Sequence, residues 1–175
     1  MGVRDLAWGD FPDVVENYLK LYEEVKSHPD LGIILLPAPP SLGEEAEWFA
    51  RLYRRVLEGA TVAVVAEEEG HAVGLCTVDR RGPHRESQHL GVLGILVASG
   101  WRGRGIGRAL LRSAIDRSRG SFDLIELSVF RSNDRARALY ESVGFRSWGI
   151  LPKGIVRDGR ATDVEHMVLE LGPKA

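Results

Sequence analysis

The chain has 175 residues, of which 44% are hydrophobic and 27% are charged. This is enough for one well-buried domain and lies close to the soluble globular average, so disordered, collagen-like and low-complexity classes are excluded. With 23 Lys and Arg against 25 Asp and Glu, the formal net charge of -2 lacks the basic excess that is usual for nucleic-acid-binding proteins.

Nothing in the sequence indicates a membrane segment or an export signal. The longest apolar stretches, such as residues 31–36 and 60–66, are far shorter than the ~20 residues that span a bilayer. The N-terminus has no basic-then-apolar leader. The lone cysteine, Cys76, cannot form an internal disulfide, which fits a reducing compartment. We therefore expect one domain over residues 1–175, in the cytoplasm, without membrane or nucleic-acid partners.

The N-terminal third is predicted to form two helices joined by a stiff, Pro-rich loop at residues 37–41. Before the loop, apolar residues recur at helical spacing: Val14, Tyr18, Leu21, Tyr22 and Val25. After it, Ser41 and Glu44 form a capping-box pattern that opens a second helix, which ends at Gly59. The predicted buried face of this helix consists of Trp48, Leu52 and Val56.

The rest of the chain alternates between strand and helix patterns. Strands are predicted at residues 61–66, 72–78, 90–97, 124–129, 148–156 and 164–171, and helices at residues 105–118 and 134–143. The Asp158-Gly159 pair is a strong signal for a hairpin between the last two strands. The resulting order, β, α, α, β, β, β, α, β, α, β, β, indicates an α/β fold with one mixed sheet and helices packed on it.

The segment from residue 97 to residue 111 carries the clearest chemical signal, because a buried strand enters a loop that opens a helix. Alternating glycines at positions 103, 105 and 107 let the backbone turn sharply and bring several N–H groups to one point. The first N–H groups of a helix have no internal partner, and the helix dipole favours an anion there. Positive charge is added by Arg102, Arg104 and Arg108. The pattern predicts a pyrophosphate site.

Two common nucleotide-binding motifs do not match this loop. The G-x-G-x-x-G fingerprint needs glycine at its sixth position, which is Arg108 counted from Gly103 and Leu110 counted from Gly105. The phosphate loop of nucleotide triphosphatases needs a Gly-Lys pair, and the chain contains none. The remaining alternative is a glycine-rich connection with surface arginines and no ligand.

The loop resembles the acetyl-CoA pyrophosphate loop, R/Q-x-x-G-x-G/A, of the GNAT superfamily of N-acetyltransferases, with residues 102–107 as the matching segment. Asn133, Leu139-Tyr140-Glu141 and Val143-Gly144-Phe145 are similar to the N…LYExxGF pattern of that family. The segments at 89–97 and 158–167 resemble its protein-type and ribosomal-type branches. The resemblance covers residues 48–171 and implies the GNAT fold, a splayed mixed sheet of about six to seven strands flanked by about four helices.

The resemblance also implies acetyl-CoA as the cosubstrate. In the family, the strand before the loop separates from its parallel neighbour, and the pantetheine arm lies in the gap like an extra strand. Carried over, this assigns the strand segment Ile95, Leu96 and Val97 to the pantetheine, through the backbone of Ile95 and Val97. It assigns the pyrophosphate to Arg102, Gly103, Arg104, Gly105, Ile106, Gly107 and Arg108. The five histidines show no metal-ligand spacing, so no metal is predicted.

Two residues have both a structural and a functional interpretation. Asn133 is a candidate N-cap of the helix that follows, whereas the family places it beside the pantetheine arm. Tyr140 shares a helix stripe with Leu139 and Val143, which is typical of a core tyrosine. The resemblance implies that its hydroxyl points at the acetyl-CoA sulfur, where it can protonate the leaving thiolate.

The general base is the residue that the resemblance does not supply. Many relatives carry Glu at the position that is Val92 here. Glu126 is the best substitute, because it points off its strand with Ser128, opposite Ile125 and Leu127. The alternative for Glu126 is an exposed or ion-paired carboxylate without a catalytic role. Further candidates on the last strand are Glu165 and His166.

The sequence therefore predicts an N-acetyltransferase that moves an acetyl group from acetyl-CoA to a primary amine of a small molecule or protein. The amine is expected to attack directly in a ternary complex. The alternative is a non-catalytic acyl-CoA-binding or regulatory module with the same fold, which Val92 favours and Tyr140 opposes. Because an open sheet has exposed edge strands, we also expect a homodimer.

Overall fold

Within residues 2–29, 31–32 and 35–172, which the computed structural model describes, seven strands form one mixed sheet that carries four α-helices. The strands are β1 (Gly2–Asp5), β2 (Thr61–Glu68), β3 (His71–Arg80), β4 (Leu90–Val97), β5 (Leu124–Phe130), β6 (Arg146–Arg157) and β7 (Arg160–Glu170). The helices are α1 (Phe11–Ser27), α2 (Leu42–Leu57), α3 (Ile106–Ser118) and α4 (Asp134–Glu141). The sheet order is β1-β2-β3-β4-β5-β7-β6, and the β4–β5 pair is parallel. The predicted element order and fold class are confirmed.

The two faces of the sheet carry separate apolar cores, and β2 shows the alternation directly. Its residues Val64 and Ala66 pack in the core beneath α3 and α4, whereas Ala63 and Val65 pack in the core beneath α1 and α2. Side chains alternate between the faces of a strand, so one buried strand serves both layers. No helix in the described part of the chain is long and apolar enough to cross a membrane.

The capping box at the start of α2 is confirmed, but the predicted buried face of this helix is partly wrong. The Glu44 backbone N–H donates to Ser41 Oγ at 3.3 Å, and the Ser41 backbone N–H donates to the Glu44 carboxylate at 2.8 Å. Phe49 is fully buried, whereas Trp48 remains 38% exposed. Phe49 takes the core position because its ring meets Phe11 and Trp8 edge-on, at centroid distances of 5.3 and 5.6 Å. Trp8 and Phe11 lie outside α2, so the spacing of apolar residues within the helix does not reveal these contacts.

The parallel pair β4–β5 separates after a short ladder, which creates the gap that positions the site. Its register extends only from Leu90 opposite Leu124 to Val92 opposite Glu126, although β4 continues to Val97. Beyond that point β5 stays paired with β7 up to Phe130, and β4 stays paired with β3. The predicted splay is therefore present, with its apex at Val92 and Glu126.

Candidate active site

On the side of the gap, none of the described strands pairs with the second half of β4, although the Val97 carbonyl accepts a hydrogen bond from the Arg102 guanidinium. The N–H of Ala98 donates to the carbonyl of Val73 at 3.0 Å, and the N–H of Arg81 donates to the carbonyl of Leu90 at 2.9 Å. In an antiparallel ladder, hydrogen-bonded positions alternate along the strand, so the even-numbered residues of β4 turn their backbone groups to β3. The odd-numbered residues Ile95 and Val97 therefore turn theirs to the gap. This is the unpaired edge that strand addition requires.

A cavity of about 690 Å³ follows this gap and reaches the first turn of α3. It is lined by ten of the twelve residues that the sequence assigned to acetyl-CoA, namely Ile95, Leu96, Val97, Arg102, Gly103, Gly105, Gly107, Arg108, Asn133 and Tyr140. The other two of the twelve do not line it. Arg104 lies over the Trp101 ring at 4.8 Å, and Ile106 is buried in the core under α3. The side chain of Ile106 therefore anchors the helix from below.

The glycines shape the end of the cavity as an anion site. Gly103 and Gly105 both have φ of +83°, a left-handed conformation that residues with a Cβ adopt only at a cost. Gly105 is the N-cap of α3, and a Cβ placed there would meet no atom within 4 Å, because the residue faces open space. The first backbone N–H groups of the 13-residue helix α3 are thus accessible to an anion, which the helix dipole favours.

The arginines around the loop have different roles. The Arg102 guanidinium donates to the Val97 carbonyl at 2.8 Å and forms an ion pair with Glu24 of α1, so its charge is already matched. Arg108 lines the cavity with an exposed side chain. Arg135 of α4 also lines it, with Nη2 only 3.2 Å from the position of a Cβ on Gly103. Among the described residues that line the cavity, Arg108 and Arg135 are therefore the arginines for which no ion pair with a carboxylate is found.

Sequence reasoning missed Arg135 and the end of α1. Arg135 stands two residues after Asn133 in the first turn of α4, and its guanidinium reaches Gly103, which lies far from it in the chain. Glu24, His28, Leu31 and Gly32 also line the cavity. No local pattern marks these four residues, because contacts across 78 positions, such as Glu24 with Arg102, bring them to the site.

Asn133 and Tyr140 each have a structural contact and also line the large cavity. Asn133 caps α4, since its Oδ1 accepts the Ala136 N–H at 3.0 Å, and it lines the cavity as well. Tyr140 lies in the core with its ring edge-on to Phe145 and borders the same cavity. Burial, with Cys76 nearby, raises the pKa of Tyr140 to about 12. Its hydroxyl is therefore protonated at neutral pH and can donate a hydrogen bond.

Glu126 lies at the apex of the gap, directly opposite Val92 in the ladder. Its side chain is 25% exposed, and its Oε2 accepts a hydrogen bond from Arg81 Nη1 at 3.0 Å. Its neighbours Ile125 and Leu127 are buried on the opposite face, as the strand pattern predicts. Glu126 does not line the large cavity; it belongs to the last residue pair of the β4–β5 ladder, where the gap begins.

The two further base candidates on β7 lie in different surroundings. Glu165 is buried and accepts a hydrogen bond from Arg137 Nε at 2.7 Å, which links α4 to β7. Glu165 does not line the large cavity. His166 lies 2.9 Å from Ser128 Oγ through its Nδ1, and its ring packs against Trp148. Ser128 lines the cavity, so His166 is connected to the site through one hydroxyl.

Comparison with known proteins matches residues 13–145 to the family model described as Acetyltransferase (GNAT) family. The chain is 36% identical over 106 residues to the L-amino acid N-acetyltransferase AaaT of Escherichia coli. That match includes 59% of this chain and 65% of AaaT, so the chain spans just under two thirds of this curated relative.

Solved structures with the same fold cover the chain almost completely. The ribosomal-protein-alanine N-acetyltransferase of Brucella melitensis superimposes with a TM-score of 0.84 at 27% identity, over 98% of this chain and 100% of that one. The yncA acetyltransferase of Salmonella typhimurium, solved with acetyl-CoA, also has a TM-score of 0.84, at 22% identity over 97% and 93% of the two chains. The fold implied by the sequence resemblance is thereby confirmed.

Proposed function

The chain belongs to the GNAT family of acetyltransferases, and we propose that it is an N-acetyltransferase that transfers the acetyl group of acetyl-CoA to a primary amine. One observation carries the proposal: the unpaired edge of β4, the glycine loop and Tyr140 border one continuous cavity. The names of the relatives support an amine acceptor, since AaaT acts on L-amino acids and the Brucella protein on an alanine of a ribosomal protein. The acceptor class proposed is therefore a small molecule or a protein.

The residues of the cavity fit acetyl-CoA in charge and hydrogen bonding. The backbone of Ile95 and Val97 offers donors and acceptors to the pantetheine amides, although the Val97 carbonyl already accepts the Arg102 guanidinium. The N–H groups at the start of α3, together with Arg108 and Arg135, match a pyrophosphate. Asn133 lies at the wall on the α4 side, where its side-chain amide can meet the pantetheine arm.

The proposed reaction needs a proton acceptor for the amine and a proton donor for the thiolate. The thioester supplies the acetyl group, and the amine nitrogen attacks its carbonyl carbon as the C–S bond breaks. We assign the amine proton to Glu126, whose Oε2 accepts a hydrogen bond from Arg81, so Oε1 is the oxygen proposed to take the proton. The Tyr140 hydroxyl, which its raised pKa keeps protonated throughout the neutral range, donates a hydrogen bond to the departing sulfur and so stabilises the thiolate.

Thiol release from acetyl-CoA across a panel of amines tests the proposal. The enzyme is expected to release one thiol for each amine acetylated. Tight acetyl-CoA binding in calorimetry, with no release for free amino acids, peptides or polyamines, would instead support the non-catalytic acyl-CoA-binding module.

Glu126→Gln is expected to lower kcat/KM at neutral pH by about 10²- to 10⁴-fold. The amide keeps the size of the side chain but cannot accept the amine proton. The measurement is kcat/KM between pH 5 and pH 9. Glu47→Gln on the exposed face of α2 is the matched control, and its profile should equal that of the wild type. An unchanged Glu126→Gln enzyme together with an inactive His166→Gln enzyme would move the proton acceptor to the Ser128–His166 pair.

Three broader expectations remain proposals. Residues 1–175 are proposed to form one N-acetyltransferase domain that works in the cytoplasm. A homodimer is proposed through the edge strand β6, which exposes Trp148, Ile150, Leu151 and Val156. Light scattering is expected to report twice the monomer mass at micromolar concentration, and a monomer would overturn the dimer.

A further inference from the structure

A second, smaller cavity of about 160 Å³ lies between α1, α2 and the middle of β3 and β4. Its walls include Val14, Tyr18, Trp48, Leu75, Thr77 and Gly94. It shares Ile95 and Leu96 with the large cavity, so the two cavities meet at the strand assigned to the pantetheine arm. We name this smaller cavity the side pocket.

The side pocket is apolar and carries no fixed charge. Of the described residues that line it, none is Asp, Glu, Lys, Arg or His. The Asn17 amide in its wall is already committed, because its Nδ2 donates to the Ala72 carbonyl at 2.7 Å. A charged group that entered such walls would lose its hydration without gaining an opposite charge.

The carboxyl group of Glu45 lies near Tyr18, which lines the side pocket. Burial, with Glu44 nearby, raises the pKa of Glu45 above its ordinary value. Its Oε2 is buried and has no hydrogen-bond partner among the described residues. Glu45 itself does not line the pocket.

We propose that the side pocket receives an uncharged, apolar substituent of the amine acceptor, up to about the size of a phenyl ring. This inference rests on the proposed acetyl transfer and adds the class of acceptor: amines next to an aromatic or branched aliphatic side chain. The size limit follows from the volume, because an apolar cavity of about 150 Å³ accommodates one benzene molecule. The shared wall at Ile95 and Leu96 places the bound substituent beside the strand along which the acetyl group is delivered.

The fold permits a direct test at Gly94. A Cβ on Gly94 would lie 3.5 Å from Thr77 Oγ1, an ordinary contact, and the residue has no positive φ. A Cβ at residue 94 therefore enters the pocket wall without displacing a neighbour, and the two methyl groups of Gly94→Val reduce the space for a substituent. Gly2→Val in β1 is the matched control, because Gly2 also lies in a strand, has open space at its Cβ position, and belongs to the far edge of the sheet.

The wild-type enzyme is expected to acetylate free phenylalanine and leucine with a kcat/KM at least about 100-fold above those for aspartate and lysine. Gly94→Val should lower kcat/KM for phenylalanine by at least about tenfold and for glycine by less than about threefold, since each methylene in an apolar pocket changes specificity by about 10- to 200-fold. Calorimetry should give an unchanged Kd for acetyl-CoA. Gly2→Val should behave as the wild type with every acceptor.

Two results would overturn the inference while the acetyltransferase function stands: equal use of aspartate, lysine and phenylalanine by the wild type, or an equal loss for phenylalanine and glycine in Gly94→Val. A wild-type enzyme that acetylates no amine would remove the proposed function and this inference with it. Should Gly94→Val fail to fold, Thr77→Leu fills the same pocket from β3, and the same comparison of phenylalanine with glycine applies.

Discussion

Tyr140→Phe is expected to slow acetyl transfer by about ten- to several hundred-fold while leaving folding and acetyl-CoA affinity nearly unchanged. The ring stays in the core against Phe145, and only the hydroxyl that borders the cavity is lost. Single proton-transfer or anion-stabilising groups typically contribute ~1–4 kcal/mol to the barrier, which gives the expected range. Single-turnover kinetics, thermal melting and calorimetry with acetyl-CoA measure the three quantities separately.

Tyr53→Phe provides the control for this change. Tyr53 packs with Phe49 and Trp8 beneath α2, in the core on the other side of the sheet, so losing its hydroxyl should leave the rate unaltered. Equal rates for Tyr140→Phe and the wild type with every active amine would remove Tyr140 from the mechanism. The binding site for acetyl-CoA would be untouched by that result.

The raised pKa of Tyr140 also leads to a prediction about how the rate depends on pH. Because burial raises its pKa to about 12, the hydroxyl keeps its proton up to pH 10. Any fall in wild-type rate between pH 8 and pH 10 must then come from another group, and Tyr140→Phe should show the same fall from its lower plateau. A basic limb that disappears in Tyr140→Phe would contradict this assignment.

Gly105→Val is expected to weaken acetyl-CoA binding by about 10- to 100-fold, or ~1.4–2.8 kcal/mol. Two effects combine. A side chain would occupy the open space in front of the α3 N-terminus, and a β-branched residue at φ of +83° strains the turn that presents the N–H groups. Isothermal calorimetry with acetyl-CoA measures the change.

Gly59→Val is the control for Gly105→Val, because it introduces the same backbone strain away from the proposed ligand site. Gly59 has φ of +68° and open space at its Cβ position, and it lies beside Arg80 at the opposite end of β3 from the glycine loop. Both variants should lose similar stability, ~1–2 kcal/mol for one residue held in the left-handed region. Only Gly105→Val should lose affinity, and an unchanged Kd for that variant would refute the pyrophosphate site.

The helices, the strands and the glycine loop before α3 could be predicted from the sequence alone, because all of them depend on local interactions. The capping box of Ser41 and Glu44 spans four residues, and the period of apolar residues places each strand and helix within a few positions. The glycine loop could be interpreted directly, since a left-handed turn at Gly103 and Gly105 that opens a helix requires these residues in sequence. Tyr140 and Asn133 were identified through the family motif they carry.

Which side chains enter the core, the ion pairs or the site depends on contacts between segments that are distant in the chain. From the sequence, the charge of Arg102 was assigned to the pyrophosphate, but in the structure Arg102 forms an ion pair with Glu24. The Glu165 carboxylate, a candidate base, forms an ion pair with Arg137. Arg135 and the side pocket were not predicted, because their neighbours lie far apart in the chain. Composition and periodicity describe what a residue does to its own helix or strand. Which opposite charge or ring it meets depends on the path of distant segments, and the free energy of those contacts selects the partner.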